Sequence, residues 1–152
     1  MHCMEEAPQV QEQLREDPTL IPDALEEVLR FRSPVQRTSR ILKADTTLSG
    51  QQMLAGQKIY LWLGAANRDP EQFENPQIFD IKRSPNHHLA FGHGIHFCMG
   101  VTLARLEAKL TLECLLERFS EIQRDQSTPL QKADTFFGLG LKEYPVTVKS
   151  RT

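Results

Sequence analysis

The rhythm of apolar and polar positions changes several times along the chain. The opening stretch keeps a helical spacing to about Arg15, and "REDP" stops it at Pro18. "TLIPDALEEVLRFRSP" predicts a second helix. Pro22 suits its first turn, and Asp23, Glu26 and Glu27 complement the positive end of its dipole. Leu25, Val28 and Leu29 form its apolar stripe, and Pro34 ends it. From Val35 to Leu63 the runs "VQRTSRIL", "TTLSG", "QQML" and "QKIYLWL" predict short strands, punctuated by Gly50 and Gly56. "AANRDPEQF" reads as a turn with a short helix, and "ENPQIFDIKRSPNHH" as a proline-broken meander. "VTLARLEAKLTLECLLERF" is the strongest helix signal. It is apolar on most of its circumference, which predicts burial in a larger core. The tail "FFGLGLKEYPVTVKS" predicts a glycine-containing hairpin. The order helix, sheet, loop, helix, sheet gives an α+β class, mainly α, as one unit over 1–152 without repeats or an interdomain linker.

Composition narrows the partners. The chain has 152 residues, enough for one domain with a core. Charged residues make up 25% and hydrophobic ones 39%, as in an ordinary soluble globular protein. A net charge of -2, without a basic stripe, argues against a nucleic-acid partner. "IYLWLGAA" is too short to span a bilayer, and "MHCMEEAPQV" has no signal-peptide core, so no membrane partner is expected. Cys3, Cys98 and Cys114 are too few and scattered for a disulfide framework, which points to a reducing, cytoplasmic setting.

The candidate chemistry lies in "FGHGIHFCMG", Phe91 to Gly100. Its glycines let a flat ligand approach the main chain. Cys98 stands just ahead of the long helix, whose free N–H groups and dipole stabilise a negative sulfur. A thiolate there is a soft metal ligand. His96 can donate a hydrogen bond to an anionic group beside the metal, and Phe91 can cover the sulfur or simply pack. These features suit a large planar metal cofactor better than a bare zinc ion. His87, His88 and His93 also invite a zinc reading with His96 and Cys98, but their spacing fits no common structural zinc pattern. His88 is expected to pack against the meander, with His87 and His93 exposed.

This loop resembles the haem-binding loop of the cytochrome P-450 family, F-G-x-G-x-[HR]-x-C-x-G. Phe91, Gly92, Gly94, His96, Cys98 and Gly100 match its fixed positions. Glu27 and Arg30 in "EEVLR" match a second family signature, E-x-x-R on a helix. "AANRDPEQF", "FDIKRSPNHHLAFG" and "GVTLARLEAKL" are similar to the soluble bacterial branch, and the resemblance runs from about Pro8 to Val148. The resemblance implies haem b (iron protoporphyrin IX) as cofactor and Cys98 as the proximal thiolate of its iron, the catalytic ligand that favours O–O cleavage. It implies that His96 and Arg40 bind the haem propionates, with Arg37 close by in register. Glu27 and Arg30 would form an ion pair bracing the meander and the loop. Many relatives add a meander arginine at the third position of P-x-R-F. Here Ile78 stands there and cannot pair with Glu27, which leaves Arg68 and Arg83 as candidates.

The implied activity is that of a monooxygenase, inserting one oxygen atom into a small apolar substrate with electrons from a ferredoxin-like or flavin reductase partner. The region from Val35 to Gln36 and the hairpin near Phe137 would line part of the substrate cavity. No A-G-x-x-T-like distal motif is matched, so the chain resembles the C-terminal portion of the family alone. A non-enzymatic, truncated haem-binding reading therefore stands beside the enzyme reading, with self-association through apolar surface as its corollary.

Overall fold

The computed structural model describes residues 2–133, 135 and 137–151. Two short helices, α1 (His2–Glu6) and α2 (Gln9–Glu16), lead through a 3-10 turn at Pro18–Leu20 into α3 (Ile21–Phe31). Asp17 caps that turn by accepting from the Thr19 N–H. Four short strands follow: β1 (Thr38–Ile41), β2 (Thr46–Leu48), β3 (Gln51–Met53) and β4 (Lys58–Leu61). β1 pairs antiparallel with β4, Thr38 opposite Leu61 and Ile41 opposite Lys58. β2 and β3 form a hairpin nested between them, and its turn places Ser49 and Gly50 at φ 47° and 80°. The one-turn helix α4 (Leu63–Ala66) opens the meander, which leads to the cysteine loop and to α5 (Val101–Arg118).

The core gathers where α1, α2, α3 and the second half of α5 meet. Met4, Val10, Leu14, Ile21, Ala24, Ile81, Leu112 and Leu116 are buried together there. Val10 and Leu14, four apart, form the inward face of α2. Two side chains tie this helix onward: Gln11 Nε2 donates to the Ile122 carbonyl at 2.9 Å, and Arg15 Nη2 to that of Phe119 at 3.0 Å.

Three expectations are corrected. Burial on α3 does not follow the stripe Leu25, Val28 and Leu29, which is half-buried. The deepest face is Ile21, Ala24, Glu27 and Arg30, because the meander packs there and offers its carbonyls. On α5 only Leu112 and Leu116 are fully buried, while Leu103, Leu106 and Leu110 are exposed, because the first turns run past the edge of the core. The tail is divided rather than one hairpin. Gly138 bridges to Val35, and Lys132 bridges to Leu141, while β6 (Val146–Ser150) pairs with β5 (Phe119–Arg124). β5 follows α5 without a loop and its sequence, "FSEIQR", carries only a weak alternation, so it was not anticipated. Phe136 of the tail lies outside the described residues.

Candidate functional site

The site rests on charges placed inside the core. Glu27 and Arg30 are fully buried. Their spacing of three puts them on one face of α3. Arg30 Nε donates to Glu27 Oε2 at 2.7 Å and Nη2 to Oε1 at 2.8 Å. Arg30 Nη1 donates to the carbonyls of Asn67 and Pro76, and Nη2 also to that of Ile78. All five guanidinium N–H groups thus have an acceptor, the condition under which a buried arginine is tolerated.

Glu27 in turn gathers the meander. Its carboxylate accepts from the Asp80 N–H at 2.9 Å, from Asn86 Nδ2 at 3.2 Å and from Arg83 Nε at 3.3 Å. Between the two arginines that the sequence left open, Arg83 therefore meets Glu27. Arg68 stacks on the Phe31 ring at 4.0 Å and donates to the Phe31 carbonyl. Ile78 turns its side chain to solvent, and it is its carbonyl that takes part, accepting from both Arg30 and Arg83.

Asn67 ties this network to the segment that enters the loop. It is fully buried. Its Nδ2 donates to Ser33 Oγ at 2.7 Å, and its Oδ1 accepts from the Leu89 N–H at 2.6 Å. Asn67 and Ser33 were not singled out from sequence. The signal available was the polar residue closing "LGAAN", where a helix turn ends inside the protein.

The loop itself is folded by its own backbone. Gly92 and Gly94 adopt φ 75° and 71°, conformations that side chains resist. A one-turn 3-10 helix spans Gly94–His96. The Cys98 N–H donates to the Phe91 carbonyl at 3.0 Å and closes the loop. Gly100 caps α5 without a side-chain hydrogen bond, so first-turn N–H groups and the positive end of the helix dipole lie beside the cysteine. Cys98 is exposed. A Cβ on Gly100 would stand 3.9 Å from its Sγ, an ordinary van der Waals contact. Around it Ile95 and Met99 are 97% and 101% exposed, and Phe97 is 46% exposed. An exposed sulfur with a glycine cradle and an apolar rim fits a flat, largely apolar metal macrocycle.

The other anticipated residues occupy separate elements. His96 is exposed at the end of the 3-10 turn. Arg40 lies on β1, where its Nη1 donates to Thr38 Oγ1 and the Ser39 carbonyl. His87 and His93 are exposed. His88 turns to α3 and pairs with Glu26 at 2.9 Å. Among the described residues no group of three or more His, Cys, Asp or Glu side chains is placed to hold a metal ion.

Fold and loop together define the class of protein. The family model for cytochrome P450 matches residues 2–150, and the chain belongs to this family, whose cofactor is haem b. It is similar to a putative cytochrome P450, YjiB, of Bacillus subtilis, with 43% identity over 96% of this chain and 36% of the relative. Its fold matches the crystal structure of CYP109E1 from Bacillus megaterium in complex with corticosterone (TM-score 0.91, 43% identity, 97% of this chain and 40% of that one). It equally matches P450BioI in complex with acyl carrier protein ligated to hexadec-9Z-enoic acid (TM-score 0.92, 44% identity, 97% and 38%). The chain spans about a third of the length of the curated relatives it matches. Among the described residues no helix is long and apolar enough to cross a membrane.

Proposed function

We propose that this chain is the C-terminal, haem-binding portion of a cytochrome P450 monooxygenase, with Cys98 as the thiolate ligand. The observation that carries the reading is the exposed Cys98 sulfur at the start of α5, in a glycine-hinged loop with an apolar rim. When bound, haem supplies the one-electron and oxygen chemistry. The chain's own residues hold it. Cys98 would ligate its iron from the start of α5, beside the uncapped first-turn N–H groups. His96 and Arg40 serve the propionates, the first by a hydrogen bond and the second by charge. Phe91 backs the sulfur. Glu27 and Arg30 keep the meander and loop in register.

The substrate class is a small apolar molecule, met in part by the edge where Val35 bridges to Gly138. Corticosterone and a fatty acyl chain, bound by the two structural relatives, are of that chemistry. Electrons would come from a ferredoxin-like or flavin reductase partner. Three free cysteines fit a reducing compartment, the cytoplasm. The exposed leucines of α5 favour a second reading, in which these 152 residues hold haem without coupled turnover and self-associate. Product formed per NADPH consumed separates the two readings.

The test of ligation is the absorption spectrum of the reduced, carbon monoxide-treated protein. Wild type, Cys3→Ser and Cys114→Ser give the red-shifted thiolate band, and Cys98→Ser loses it. Retention of the band in Cys98→Ser overturns the assignment.

A further inference from the structure

Glu27 has a neighbour that faces another way. Glu26 sits on α3 toward the cysteine loop and meets groups from two other elements. Arg105 of α5 grips it with two hydrogen bonds, Nε to Oε1 at 2.7 Å and Nη2 to Oε2 at 2.6 Å. His88, whose side chain is 3% exposed, pairs with it through Nε2 at 2.9 Å. The other ring nitrogen of His88, Nδ1, accepts from the Ala90 N–H at 3.2 Å. With Nδ1 accepting, the proton resides on Nε2, and His88 donates to Glu26.

Both partners of Glu26 converge on one ring. The Arg105 guanidinium lies 5.2 Å from the centroid of Phe91, within cation–π range, and the His88 ring lies 6.2 Å from it. Phe97, from the far side of the loop, meets the same ring edge-on at 6.5 Å. The carbonyl of Phe91 is the group that accepts the Cys98 N–H. Phe91 is therefore the point where the loop is closed onto its cysteine, and what holds Phe91 holds Cys98.

We propose that Glu26 is a positioning residue for Cys98, acting through Arg105 and His88 on Phe91. An isolated ion pair as exposed as Arg105 contributes little. This one is bidentate and shares its carboxylate with a buried histidine, the arrangement in which charged hydrogen bonds are strong and orienting. Glu27 and Glu26 then divide the work of α3. The first fixes the meander, and the second fixes the loop and the start of α5.

The functional meaning rests on the haem-thiolate reading, but the geometry is tested without haem. Amide hydrogen exchange of the 152-residue chain is measured residue by residue for wild type, Glu26→Gln, Arg105→Gln and the double variant. In each single variant the Cys98 and Ala90 amides exchange faster by about tenfold, the scale of one lost charged hydrogen bond. Leu112 and Leu116 in the core follow only the change in global unfolding free energy and rise by less than the loop amides. The double variant exceeds neither single variant, because the residues act as one unit. Unchanged Cys98 exchange in Arg105→Gln, whose side chain is exposed enough to be replaced without unfolding, overturns the proposal. So does a parallel rise at every amide. Haem is then added. In wild type the thiolate band tests ligation by Cys98, and its absence defeats that reading while leaving the exchange result to decide the role of Glu26. With the band present in wild type, Glu26→Gln lowers the fraction of added haem that gives it, and an unchanged fraction also overturns the proposal.

Discussion

The inner face of α3 and the cysteine loop invert the ordinary distribution of side chains. The largest fully buried residues of the described chain include Arg30, Glu27 and Asn67, while Ile95 and Met99 are almost wholly exposed. Charge is inside and apolar surface is outside. A buried charge is costly unless every hydrogen bond is met, and when all are met it admits very few geometries. That is a means of fixing backbone, and the meander, which has no regular structure, needs it. An exposed apolar rim costs little in an otherwise folded chain, and it is complementary to an apolar ligand. The brace spends its chemistry on shape, and the loop leaves its chemistry free for a partner.

This contrast can be broken from the buried side first. Glu27→Ala leaves Arg30 charged, buried and short of two acceptors, and is expected to destabilise the chain by about 3–5 kcal/mol. Urea denaturation measures it, and a loss under about 1 kcal/mol would mean that the pair is dispensable. Asn67→Ala comes next. It orphans the Leu89 N–H and removes the donor to Ser33, a loss of about 2–3 kcal/mol by the same measurement.

Acid tests the join between the two regions. Glu26 is partly buried, which opposes its ionisation, yet the hydrogen bonds from His88 and Arg105 prevail and hold its carboxyl down to about 2, from an ordinary 4.5. A depressed carboxyl stabilises the fold above its unfolded value and loses that contribution as pH falls through its folded one. The stability contributed by Glu26 is therefore present above pH 4.5 and drains away between 4.5 and 2. Glu26→Gln is expected to be less stable than wild type near neutrality and to fall less steeply over that acid range. Chemical denaturation across pH reads both. An identical slope in the two proteins would show that other carboxylates govern the acid limb.

The smallest effect is expected at the rim. Ile95→Ser and Met99→Ser change side chains that touch little protein, so their unfolding free energy shifts by less than about 0.5 kcal/mol. Their haem retention, measured by transfer to an acceptor protein, falls. A large loss of stability would show that the rim packs against protein instead of awaiting a ligand.

What the sequence could say depended on how local each signal was. The loop was legible because Gly92, Gly94, Cys98 and Gly100 work through backbone conformation and the helix start, which are encoded within ten residues. The pairing of Glu27 with Arg30 was legible because a spacing of three is a property of one helix. The four strands between Thr38 and Leu61 announced themselves as short β-prone runs punctuated by Gly50 and Gly56. Tertiary structure alone decided which face of α3 is inside, because the meander carbonyls that satisfy Arg30 lie 37 to 48 residues away. It also decided that Arg83, and not Arg68, meets Glu27, since both arginines are equally plausible along the chain. The join of Glu26 to His88 and Arg105 spans 62 and 79 residues. The exposure of the first turns of α5 reflects what packs against them, and no periodicity within the helix records that. Local backbone preference and helical spacing are written in neighbouring residues, whereas the satisfaction of a buried charge is a property of whatever the fold brings to it.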